Sequence, residues 1–81
     1  MPFEFRKKQV LLQGVVGVED AETLLEWLQK HPNASADLSG CEHVHPANLQ
    51  VLLAAGTRID AWPADAALAR LLQTLPLPRV A

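Results

Sequence analysis

The sequence predicts an α/β domain in which helices pack on a single sheet. Two observations carry this. Short runs of aromatic and β-branched residues alternate with stretches whose leucines recur at helical spacing, and glycine or proline punctuates most junctions. At 81 residues the chain has room for one domain, and 49% apolar residues are too many for a disordered one.

Phe3 and Phe5 form a first strand, and Val10-Leu11-Leu12 with Val15-Val16 a second. Arg6-Lys7-Lys8 supplies the polar turn between them, and Gly14 and Gly17 punctuate the second strand or its exit. Ala21, Leu24, Leu25 and Leu28 then define the apolar face of an amphipathic helix. Glu19, Asp20 and Glu22 at its start and Lys30 and His31 at its end complement the helix dipole. Pro32 stops it. The weak strand former Ala34–Leu38 is assigned as a short strand mainly on the resemblance given below. Pro46 suits the first turn of a second helix, with Leu49, Leu52 and Leu53 as its buried stripe and Gly56 as its C-terminal cap. Thr57-Arg58-Ile59 is a short strand. Pro63 starts a third helix with Leu68, Leu71, Leu72 and Leu75 on its apolar face, and Pro76 ends it. The tail Leu77–Ala81 is read as extended or frayed.

Seven Lys and Arg against nine Asp and Glu give a net charge of −2. That balance argues against a nucleic-acid binder, which would carry a basic stripe. The one basic cluster, Arg6-Lys7-Lys8, reads as a solvated turn. Cys41 is the sole cysteine, so an intrachain disulfide is impossible, in keeping with a reducing compartment. The N-terminus lacks the charged-then-apolar pattern of a signal peptide, and no apolar run approaches the roughly 20 residues that span a bilayer. A cytoplasmic protein without membrane insertion is expected.

The stretch from Ala36 to Gly56 carries the most specific signal. Asp37-Leu38-Ser39 ends a strand, a few residues follow, and Leu49-x-x-Leu52-Leu53 lies on a helix. This arrangement resembles the central motif of STAS domains, the group that includes anti-sigma factor antagonists, stressosome subunits and accessory or tail domains of transporters. Leu12-x-Gly14 followed by the Ala21–Leu28 helix is similar to the family's first half. The resemblance implies a STAS-like α/β fold over residues 1–81, with a small mixed sheet of four to five strands and three helices.

The departures matter as much as the matches. Where the family has Asp before the helix, this chain has His45; the next two positions, Ser and then the phosphorylated Ser or Thr, are Pro46 and Ala47; the small residue after them is Asn48. Ala47 has no hydroxyl, so the phosphate that alters partner affinity in regulated members has no acceptor here. His45 has two readings: packing and capping at the loop, or a pH- or ligand-responsive contact in place of the lost acid.

Cys41, His43 and His45 alternate, so an extended segment would bring them to one side, and thiolate and imidazole are good zinc ligands, with His31 a possible fourth. Structural sites usually supply a second pair of ligands across a loop, and none is present. No metal or cofactor is expected. A Cys–His nucleophile pair would need an oriented base and an oxyanion hole that one loop does not establish, and no phosphate-cradling glycine loop is present, so no enzyme is expected. Trp27 lies beside the first helix's apolar stripe, and Trp62 reads as core or helix-staple packing at the third helix, with partner contact the alternative.

The resemblance then implies a protein-interaction module that meets an anti-sigma, histidine-kinase-like or transporter partner without a phosphoswitch. Its contacts would be His45, Pro46, Ala47 and Asn48, with Glu42, His43 and Gln50 around them. Two alternatives stand beside it: a nucleotide- or lipid-sensing domain with a cavity between sheet and helices, and a homodimer, since small domains often gain stability by self-association.

Overall fold

The computed structural model describes residues 2–76, so the expected tail Leu77–Ala81 lies outside the described residues. Strand β1 (Phe3–Phe5) and β2 (Gln9–Val16) are followed by a single 3-10 turn (Val18–Asp20) and helix α1 (Ala21–Lys30). Strand β3 (Ser35–Val44), helix α2 (Pro46–Ala55), strand β4 (Arg58–Ala61) and helix α3 (Ala66–Gln73) complete the order. The four described strands form one mixed sheet in the order β1-β2-β3-β4; β1 is antiparallel to β2, and β2, β3 and β4 run parallel.

The parallel strands follow one another in sequential order, and α1 and α2 touch each other, as two crossovers of the usual right-handed sense on one face would have it. Val10, Leu12 and Val16 of β2 point to that face and are buried, whereas Gln13 and Val15 between them are exposed. Leu24 and Leu28 of α1, Leu49 and Leu52 of α2, Ile59 and Leu72 close the core over them. Each such side chain, once buried, contributes about 1.5–3 kcal/mol.

Two departures from the expected boundaries have clear causes. Strand β3 does not end at Leu38 but continues to Val44 through two bulges, one between its pairings to Leu11 and Gln13 and one between those to Gly14 and Val15. Each adds a residue on the β3 side, so its buried apolar positions fall at Ala36, Leu38, Cys41 and Val44. The two-residue period is lost, and with it the sequence signal for a strand. Gly14, opposite Cys41, has φ +65°, a left-handed conformation that favours glycine and lets β2 follow the bulged partner.

Helix α3 starts at Ala66 and not at Pro63, because the Asp65 carboxylate accepts the Leu68 N–H at 2.9 Å and caps the helix there. Leu72 is fully buried on it, but Leu71, expected on the apolar face, is 52% exposed. Helix α2 ends as expected, with Gly56 at φ +63°.

Near the starts of the parallel strands, the face of the sheet away from α1 and α2 carries a polar row. Asp60 accepts hydrogen bonds from Ser35 Oγ and, at 3.1 Å, from Gln9 Nε2, and pairs with Arg58 at 3.2 Å. Gln9, Ser35 and Arg58 occupy one cross-strand row, so a single carboxylate ties β2, β3 and β4 together.

Candidate functional site at the β3–α2 junction

The junction is built from two chain turns fastened side by side. The His45 N–H donates to Val16 O at 2.8 Å, closing the β2–β3 ladder. His45 then sits at the N-cap of α2 in extended geometry, and its Nδ1 accepts the Ala47 N–H at 3.0 Å. Pro46 takes the first helical position, where its missing N–H costs nothing. One turn in, Asn48 Nδ2 donates to Gly17 O at 2.8 Å. Gly17 is itself held by Asp20, whose carboxylate accepts its N–H at 2.8 Å.

Of the residues expected at a partner surface, Glu42, His43, Pro46 and Gln50 are exposed, and His45 and Ala47 are half-buried. Asn48 is the exception: it is fully buried and faces Gly17, so it cannot be an exposed contact. The capping reading of His45 is the one the geometry displays. Ala47 lies in the first turn of α2 with its N–H already taken by the imidazole.

Cys41 and His43 do not share a side. The bulge between them turns Cys41 into the core, where it is 3% exposed, and leaves His43 beside Val15 on the open face. Burial, with the Glu42 charge adding to it, pushes the Cys41 thiol above its ordinary value, which keeps it protonated and unreactive. Among the described residues no group of three or more His, Cys, Asp or Glu side chains could hold a metal ion. His31 is at the far end of α1, its Nδ1 2.9 Å from Trp27 O and its ring stacked on Trp27 at 4.3 Å. Trp27 stacks in turn on Phe5 at 5.1 Å, and Trp62 is half-buried against the core.

Two exposed residues beside the junction escaped the sequence reading. Val15 is 62% and Val18 57% exposed, unusual for valine. Val15 was findable, since it falls out of phase with the buried Val10, Leu12 and Val16. Val18 lies in the 3-10 turn, which packs beside α2. Together with Pro46 they make this end of the molecule partly apolar.

Core side chains pack between the sheet and the helices. Depressions include one of about 310 Å³ between α1 and α2, lined by Leu25, Leu28, Gln29, Pro32, Ala54 and Ala55, and one of about 470 Å³ lined by Ser39–Glu42 and Ala64–Asp65. Among the described residues no helix is long and apolar enough to cross a membrane. No protein-family model matches the chain, and no curated protein matches it.

Proposed function

We propose that this chain is a STAS-like, non-catalytic interaction module of the cytoplasm that binds a protein partner through the β3–α2 junction. The partner class is an anti-sigma or histidine-kinase-like protein or a transporter subunit. The observation that carries the reading is the junction itself. A strand-to-helix turn resembling the family's switch site presents Pro46, Ala47, His43 and Gln50 beside the exposed Val15 and Val18, with no hydroxyl at Ala47. Exposed apolar residues rimmed by polar ones are the usual mark of a protein contact. Without a phosphate acceptor at Ala47, binding would not be switched there.

The test is affinity capture from source extract with the native chain and a His43→Glu, Gln50→Lys variant, both of whose sites are exposed. One protein retained by the native form and lost by the folded variant supports the reading. Equal retention moves the contact elsewhere, and no retained protein removes the module reading.

A further inference from the structure

Apart from Glu26 within α1, Asp37 within β3 and Arg70 in the last turn of α3, and from Glu4 and Asp60 paired with arginines, the charges of the described chain fall into two groups. Glu19, Asp20, Glu22, Glu42 and Asp65 lie at the end formed by the C-terminal ends of the parallel strands and the N-termini of the helices. The chain segments 17–22, 42–48 and 62–66 that form it contain no Lys or Arg. Arg6, Lys7 and Lys8 in the β1–β2 turn, Lys30 in the last turn of α1 and Arg58 at the start of β4 lie at the opposite end. Glu4 pairs with Arg6 and Asp60 with Arg58, but no described carboxylate pairs with Lys7, Lys8 or Lys30. Helix dipoles account for Glu22, Asp65 and Lys30. They do not account for Glu42, which is on a strand, or for Lys7 and Lys8, which are in a turn outside any helix.

The two ends also differ in shape. The acidic end carries Val18, 57% exposed, immediately before the exposed Glu19 on the 3-10 turn. The basic end holds a depression of about 160 Å³ lined by Lys7, Lys8, His31, Pro32, Asn33 and Ala34. A small apolar knob followed by a carboxylate therefore has, on the same molecule, an apolar-floored hollow with two lysines on its rim.

From this complementarity we infer that copies of the chain associate head to tail, the Val18–Glu19 turn and Glu42 of one against the Lys7–Lys8 hollow of the next. Such a contact is heterologous, so it yields a ring if the rotation closes and an open chain if it does not. It does not rest on the reading of the β3–α2 junction as a site for another protein, but it shares Val18 and Glu42 with that surface, so a bound partner there would compete with it.

Sedimentation of the pure protein tests this at two ionic strengths, about 0.01 M, where charges act over about 30 Å, and about 1 M, where they act over about 3 Å. The average mass should rise with concentration to at least twice that of the monomer at low salt and return to the monomer at high salt. A Glu19→Lys, Glu42→Lys variant and a Lys7→Glu, Lys8→Glu variant should each be monomeric, and their mixture should associate again. Circular dichroism matching the native chain shows that either variant is folded; the changed side chains are all exposed. A native chain that is monomeric at low salt overturns the inference. So does association that survives high salt, or a mixture that stays monomeric while the native chain associates.

Discussion

The side-chain amide of Asn48 donates to the carbonyl oxygen of Gly17 across 31 residues of sequence, and its own carbonyl oxygen, fully buried, has no partner among the described residues. One hydrogen bond thereby fixes the first turn of α2 against the exit of β2. Losing a buried bond of this kind costs about 1–3 kcal/mol. Asn48→Ala should destabilise by that amount, less the relief of the unpartnered oxygen. Asn48→Asp should be worse, because it buries a carboxylate that faces the Gly17 carbonyl. Urea unfolding of the two variants gives the ranking, and an aspartate variant as stable as the native chain would refute the clamp.

His45 caps α2 through Nδ1 at 3.0 Å from the Ala47 nitrogen. Replacing an N-cap acceptor by alanine costs about 0.5–2 kcal/mol. His45→Ala should lose that much, and His45→Asn, which keeps an acceptor at the cap, should recover most of it. Equal stabilities for the alanine and asparagine variants would show that the ring stabilises by packing alone.

Asp60 gives the sheet a pH dependence. Burial raises its pKa, but hydrogen bonds from Ser35 and Gln9 and the Arg58 charge together outweigh that and leave it below the ordinary aspartate value. A carboxyl whose folded pKa is depressed contributes stability that is complete above its unfolded value, about 3.9, and is lost as pH falls toward the folded value. Unfolding midpoints should therefore drop below about pH 4, and the drop should be shallower in Asp60→Asn. Parallel pH curves for the two proteins would exclude Asp60 as its source.

Much of this fold was legible because its signals are local. Ala21, Leu24 and Leu28 mark α1, Pro46 and Gly56 bracket α2, and Phe3 and Phe5 mark β1. What stayed hidden depends on neighbours in space. The bulges that carry β3 to Val44 exist only in its pairing with β2, and they shift Cys41 inward, so the alternation of Cys41, His43 and His45 gave a false common face. Asn48 looked like an exposed polar residue at a helix start because its partner, Gly17, comes from another turn of the chain. Leu71 has the spacing of a core residue, but it is its neighbour Leu72 that is buried.

Cys41 should behave as a core residue. Its thiol is 3% exposed and pushed above its ordinary pKa, first by burial, so the reactive thiolate is scarce. An aromatic disulfide reagent near neutral pH should label the native chain much more slowly than the urea-unfolded one. Labelling at the unfolded rate would place the thiol at the surface.

Ala47 separates stability from binding. It lies in the first turn of α2, which has no acidic residue although the helix dipole makes negative charge favourable there. Ala47→Asp should therefore leave the fold intact, with a gain of up to about 0.3–1 kcal/mol. The same carboxylate adds charge in the middle of the proposed contact. If the junction binds the partner, the aspartate variant should unfold at the same or higher urea concentration and yet lose the protein retained by the native chain. An Ala47→Ser variant, similar in size and uncharged, should keep it. Loss of binding in both variants would point to shape and not charge as the determinant, and retention in both would place the contact away from α2.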